Sequence, residues 1–246
     1  MNEDTNISTP PQPPLVIPCV SRCPSINFFN VDCIEFMKSK PDKCYDLAIV
    51  DPPYGIGADN LNMAEYMNGK KLKNGWTKKP TTYKKGNWDS EQPTEEYWNE
   101  LFRVSKKQII WGGNHFDLGP SRGYLIWDKL VGFKFSTSMC EMAWTNCINN
   151  VKKFTYQWSG FVQGNNGNKR EQRIHPTQKP IALYRWLLLN YAKQEYKIID
   201  THGGSFSHAI AAEIEGFDLD ICEIDKEYFQ AGVNAFNLHK RQQQLF

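Results

Sequence analysis

Four consecutive residues, Asp51-Pro52-Pro53-Tyr54, bring together an ionisable carboxylate, a backbone carbonyl without a neighbouring N–H, and an aromatic ring. Neither proline can extend a β-ladder, because each lacks an N–H and fixes its own φ. Two hydrogen-bond acceptors and a flat ring are thereby held in a rigid turn. A second set lies further along the chain. Thr201-His202-Gly203-Gly204-Ser205-Phe206-Ser207 is rich in small residues, which let a ligand approach the backbone and the free N–H groups of a helix start. Glu223 follows about 20 residues later, the separation at which doubly wound folds set a carboxylate against ribose hydroxyls. Together these residues point to an adenosine-containing cofactor, without separating one such cofactor from another. Taken singly, each set also fits an ordinary strand-ending turn or an ordinary βαβ unit.

Both sets need strands behind them. Tyr45-Asp46-Leu47-Ala48-Ile49-Val50 is a short apolar run with β-branched residues near its end, the pattern of a buried parallel strand. It delivers Asp51 at the strand's carboxyl end, where open α/β sheets bind ligands. Ile26 to Val31 reads as a strand ending at Asp32, followed by a short helix from Cys33 to Lys40. Tyr196 to Asp200 leads into the glycine turn, then come a helix from Ala209 to Glu215 and a strand from Asp218 to Glu223. Thr94 caps a helix whose apolar face carries Tyr97, Trp98, Leu101 and Val104. Further strands are expected at Gln108–Trp111, Tyr124–Asp128 and Cys140–Trp144, and a final amphipathic helix from Lys226 to about His239. Trp111, Trp127 and Trp144 read as core packing, and His115 as a structural or loop residue rather than a catalytic base. His175-Pro176-Thr177-Gln178-Lys179-Pro180 precedes a helix from Ile181 to Lys193, with Thr177 or a neighbouring amide as its cap. The start of that helix suits an anionic group. Phe206, bulky and therefore costly at positive φ, argues against a left-handed backbone in the glycine turn.

The 246 residues carry a net charge of +2, too little by itself to argue for a polyanionic partner. No apolar run approaches membrane-spanning length, and the acidic, polar N-terminus does not read as a signal peptide. Seven scattered cysteines suggest reduced thiols and a cytoplasmic protein. Cys19 and Cys23 lack a second ligand pair at suitable spacing, so no metal site is expected. Residues 1–24, rich in Pro, Ser, Thr and Asn, read as a flexible arm before a domain spanning 25–246. Two irregular segments are candidates for nucleic-acid contact, although plain surface loops would look alike. The first, near 55–90, holds Lys70, Lys71, Lys73, Lys78, Lys79, Lys84 and Lys85 among Tyr66, Trp76, Tyr83 and Trp88. The second, 149–173, contains the loop signal Gly164-Asn165-Asn166-Gly167-Asn168-Lys169-Arg170.

Asp-Pro-Pro-Tyr after a hydrophobic strand resembles the catalytic motif of the DNA amino-methyltransferases, which modify the exocyclic nitrogen of adenine or cytosine. His175 to Pro180 resembles the segment that this family sets before its cofactor strand. The order, catalytic motif first and cofactor glycines last, is similar to that of the family's permuted β group. The resemblance runs from about Ile26 to Phe236. It implies one α/β Rossmann-like domain, a seven-stranded mostly parallel sheet with one antiparallel strand, and helices on both faces. It also implies S-adenosylmethionine as cofactor and DNA as partner, without membrane attachment. Asp51, Pro52, Pro53 and Tyr54 would form the catalytic set. Asp51 and the Pro52 carbonyl would hold the target amine, and Tyr54 would stack on the flipped base. Asp32, Asp51, Thr177, Lys179, Asp200, Gly203, Gly204, Ser205 and Glu223 would bind the cofactor, with Asp200 at its methionine amine, Glu223 at its ribose and Asp32 near its adenine. Asp at position 51 favours adenine N6 over cytosine N4. A cytosine-N4 enzyme, an RNA or protein-amide methyltransferase, and a degenerate nucleic-acid-binding module are the alternatives. The last is motivated by Thr201, His202 and Phe206, which depart from the family's Asp-Pro-Phe-x-Gly-Ser-Gly turn. A homodimer and a paired restriction nuclease are left open.

Overall fold

The computed structural model describes residues 23–57, 89–131, 138–159, 162–164 and 170–243. Most of the expected arm, the lysine cluster of the first loop and part of the second loop lie outside the described residues.

Strands and helices alternate in the first and last thirds of the described chain, with a run of strands between them. The first half contains β1 (Ile26–Phe29), α1 (Cys33–Lys38), β2 (Tyr45–Val50), α2 (Glu95–Val104), β3 (Ser105–Trp111), β4 (Gly123–Asp128), β5 (Cys140–Thr145) and β6 (Val151–Thr155). A small ribbon of β7 (Trp158–Ser159) and β8 (Val162–Gln163) follows, then α3 (Ile181–Tyr191), β9 (Lys197–Asp200), α4 (Ser207–Glu215), β10 (Asp218–Cys222) and α5 (Lys226–Gln243). The main sheet has eight strands in the order β1-β10-β9-β2-β3-β5-β4-β6. Only β5 runs antiparallel to its neighbours. The single reversed strand agrees with expectation, but the strand count of seven does not. The eighth strand is β6, placed within a segment expected to be irregular. Its sequence, Val-Lys-Lys-Phe-Thr, is mostly exposed and lacks apolar alternation. Sheet edges are commonly blunted by lysines in this way, which removes the pattern by which a strand is recognised.

Alternation along β2 divides the core between the two faces of the sheet. Leu47 and Ile49 join Leu183, Leu187, Ala209, Ala212 and Phe236 beneath α3, α4 and α5. Ala48 and Val50 join Phe36, Met37, Tyr97, Leu101 and Val104 beneath α1 and α2. Trp111, Trp127 and Trp144 are buried, as expected of core residues. Among the described residues no helix is long and apolar enough to cross a membrane.

The start of α3 departs from expectation. Its N-cap is Pro180, which makes no side-chain bond, and Thr177 stands three residues outside the helix. The free Ile181 N–H instead donates to both Glu171 carboxylate oxygens, at 3.1 and 3.2 Å. An anionic group does occupy this helix start, and it is the chain's own. Burial pushes Glu171 up to about 7, against the opposing bond from Ile181.

Candidate active site

Strand order reverses between β2 and β9, and a cleft of about 290 Å³ opens at the carboxyl ends of the strands there. Such switch points are where open α/β sheets accept ligands. Asp32, Asp51, Pro53, Thr177, Lys179, Gly203, Gly204, Ser205 and Glu223 all line it. Pro52, Tyr54 and Asp200 do not. Pro52 is buried within the turn. Asp200, 1% exposed, accepts from the His202 N–H at 3.0 Å through one oxygen and faces His208 Nδ1 at 2.9 Å through the other. It braces the glycine turn from behind.

Val50 ends β2, and the two prolines carry Asp51 over the edge of the sheet. The turn is fastened by Asp89, whose Oδ1 accepts the N–H groups of Tyr54 at 2.6 Å and Gly55 at 3.0 Å. Tyr54 Oη donates to Asp51 Oδ1 at 2.7 Å. The ring stacks on His115, with centroids 4.9 Å apart and planes 15° from parallel, and meets Phe116 edge-on. It also presses on Gly112, at φ +72°, where an added Cβ would lie 2.2 Å from Tyr54 Cε1. Tyr54 thus does not offer two open faces to a base, because His115 covers one. Sequence reading took His115 as a structural or loop residue, and stacking on Tyr54 from a loop is such a role.

A buried charge network lies against the carboxylate. Lys179 Nζ pairs with Asp51 Oδ2, with Glu141 Oε2 at 3.2 Å, and donates to Tyr54 Oη at 3.2 Å. Glu141 Oε1 in turn pairs with Lys129 Nζ at 2.5 Å. Two carboxylates and two ammoniums alternate. Burial pushes Asp51 up; Lys179 pulls it back and Glu141 pushes it further. Burial would raise Glu141 as well, but Lys179 and Lys129 more than reverse this and bring it down to about 2. For Lys179, burial works against the charge, and the two acids outweigh it and raise the ammonium above its usual value. The Tyr54 hydroxyl, pushed far up by burial and then by Asp51 and Glu141, stays protonated. Glu141 was missed in the sequence because it looks like an ordinary polar position on strand β5.

On the other side of the cleft, Glu223 is locked by two backbone donors, Gly204 N–H at 2.7 Å and Asp225 N–H at 2.8 Å. Asp32 caps α1 by accepting from Ile34 and Glu35 at 2.8 and 3.1 Å. Thr177 Oγ1 lies 3.1 Å from His175 Nδ1, and Ser205 Oγ lies 3.0 Å from Ser207 Oγ. Burial lowers His202 to about 4 and, with Lys179 and Arg173 adding to it, His175 to about 3, so both imidazoles in the cleft wall are neutral. The expectation for Phe206 is overturned, since its φ is +58°. Its ring is fully buried, stacked on Phe28 at 5.3 Å, in space that side chains at Gly203 and Gly232 would fill. Packing of the ring offsets the strain, so position 206 keeps a left-handed backbone without a glycine, two residues after Gly204 at φ +51°.

The family model described as DNA methylase matches residues 128–234, a stretch that includes Glu141, Lys179, the glycine turn and Glu223 but not Asp51. The type II methyltransferase M2.MboI of Moraxella bovis is 20% identical over 250 residues, covering 82% of this chain and 84% of its own. The fold is similar to that of the M1.HpyAVI–SAM complex (TM-score 0.50, 16% identity, 85% of this chain and 98% of that one). It is also similar to that of TTHA0409 of Thermus thermophilus complexed with S-adenosyl-L-methionine (TM-score 0.50, 15% identity, 87% and 95%). The cytosine-N4-specific PvuII DNA methyltransferase shares it too (TM-score 0.52, 12% identity, 88% and 89%).

Proposed function

We propose that this chain, which carries the DNA methylase match over residues 128–234, transfers a methyl group from S-adenosylmethionine to the N6 amino group of a flipped adenine in DNA. The family match supports the broad class, a DNA methyltransferase of the adenine-N6 or cytosine-N4 kind. The observation that carries the methyl-transfer reading is the meeting of Asp51 with Gly204 and Glu223 on one cleft, and Asp at position 51 favours adenine N6. That cleft lies near the lower end of the size range of small-ligand sites, about 300–1,000 Å³.

The donor set fits the cofactor. Glu223 is held by two backbone N–H groups, and each of its oxygens keeps a lone pair for a ribose hydroxyl. Gly203 and Gly204 leave that wall without side chains, while Asp32 and Thr177 supply further polar groups. S-adenosylmethionine, when bound, supplies a methyl group on a positively charged sulfur. The exocyclic amine of adenine is a weak nucleophile because its lone pair is conjugated into the ring. Asp51 and the Pro52 carbonyl, by accepting its two N–H bonds, favour a pyramidal nitrogen whose lone pair is free. Tyr54 offers a ring for the extruded base to stack on. A carboxylate accepts about four hydrogen bonds, so the contacts that Asp51 already makes leave room for the amine.

Cytosine N4 is the second reading, favoured by the likeness to the PvuII enzyme. Incubation with S-adenosylmethionine and unmethylated DNA, followed by nucleoside mass spectrometry, separates the two. N6-methyladenine is the expected product, and N4-methylcytosine alone would reverse the assignment.

A further inference from the structure

Lys179, which the family resemblance set among the cofactor-binding residues, takes a different role here, and neither it nor Glu141 holds the target amine or the ribose in this reading. The Lys179 side chain is 3% exposed, and its ammonium lies between the carboxylates of Asp51 and Glu141, with the rings of Tyr54 and Trp111 at 5.6 and 5.7 Å. An ammonium this deep is costly unless paired, and here two acids share it. A cofactor carboxylate reaching Lys179 would have to compete with both. From this juxtaposition we infer that Lys179 and Glu141 are positioning residues for methyl transfer. Lys179 keeps Asp51 ionised and oriented at the edge of the cleft, and Glu141 sets how firmly Lys179 holds it. The inference rests on the reading of Asp51 as the acceptor of the target amine.

The charged and titratable groups facing Asp51 come from three sides. Tyr54 belongs to its own turn, Lys179 and Tyr184 come from α3 and the segment before it, and Glu141 comes from β5 with Lys129 behind it. The two tyrosines stay neutral, being pushed far up by burial. The ionisation of Asp51 is therefore set by the balance of Lys179 against Glu141 and burial. Removing the lysine charge must raise the Asp51 pKa, and removing the glutamate charge must lower it. Opposite shifts of one titration are not produced by loss of packing alone.

The test is the pH dependence of single-turnover DNA methylation by the full chain, with cofactor affinity from calorimetry and thermal unfolding measured on each variant. Lys179→Met should move the acid limb of the profile up by about 1–3 pH units. Lys179→Arg should hold it near the wild-type position, and Glu141→Gln should move it down. All three should bind S-adenosylmethionine as the wild type does. An unmoved acid limb in Lys179→Met or Glu141→Gln, or a loss of cofactor affinity in Lys179→Met, overturns the inference. If Lys179→Met fails to fold, the direction of the Glu141→Gln shift decides alone. Failure of the underlying reading shows separately, as wild-type protein that methylates no DNA base.

Discussion

Asp51 is held from two directions, by the Tyr54 hydroxyl at 2.7 Å and by Lys179, before any substrate arrives. Such prior fixing means that little reorganisation remains for the moment of reaction. Replacing Asp51 with Ala removes the carboxylate proposed to accept the target amine yet leaves Lys179 paired with Glu141, so no lone charge is stranded in the interior. Asp51→Ala should therefore lower single-turnover methylation by at least about 100-fold, the scale of removing one preorganised polar group from an active site. Its thermal stability and S-adenosylmethionine affinity should stay near wild type. Near-normal turnover in this variant would end the assignment of Asp51 to the chemistry. The motif Asp51 to Tyr54 was legible from residue types alone, because two prolines after an apolar strand leave few conformations. The partners of Asp51 were not, since Lys179 and Glu141 lie far from it in the chain.

Between β9 and α4 the glycine turn keeps its shape by an unusual exchange. Phe206 stands in a left-handed conformation, at φ +58° and ψ +23°, and sinks its ring between Phe28 and Phe229. Phe206→Ala should cost about 3–5 kcal/mol, because it empties the pocket and keeps a Cβ at positive φ. Phe206→Gly removes that Cβ and should be less damaging by about 1 kcal/mol, despite deleting more of the side chain. Chemical denaturation of both variants measures the order. If the glycine variant is the less stable, the backbone at this position is not strained. Sequence reading went wrong here for a definable reason. It weighed the local cost of positive φ and could not weigh the burial that offsets it, which depends on Gly203 and Gly232 leaving room.

At the scale of the whole molecule, Gly57 and Asp89, the described residues on either side of 58–88, are held together. Gly57 N–H donates to the Asp89 carbonyl at 3.0 Å, and the Asp89 carboxylate fastens the turn that carries Tyr54. The lysines of that segment, read from the sequence as candidates for phosphate contact, lie outside the described residues. Substituting Lys70, Lys71 and Lys73 together by Gln should weaken DNA binding irrespective of sequence. For every phosphate no longer neutralised, the slope of log K against log salt should shrink by about 0.9. A salt titration of DNA affinity, wild type against triple variant, is the check, and identical slopes would relegate the segment to a connection.

From its sequence alone, this chain determines the alternation of strands and helices, the rigid acid-bearing turn after β2 and the glycine turn answered by Glu223. Each of these depends on neighbours within a few positions: apolar periodicity, prolines without an N–H, and small residues between strand and helix. Tertiary structure decided what those signals cannot carry. It set Glu171, not Thr177, on the start of α3, turned Asp200 into a brace, laid His115 on Tyr54 and added β6 as a lysine-bearing edge. It also placed Lys179 and Glu141 against Asp51, because β5 and the segment before α3 come together with the end of β2 only once the sheet is assembled. A buried charge has no local sequence signature. Its partner is chosen by which strands become neighbours.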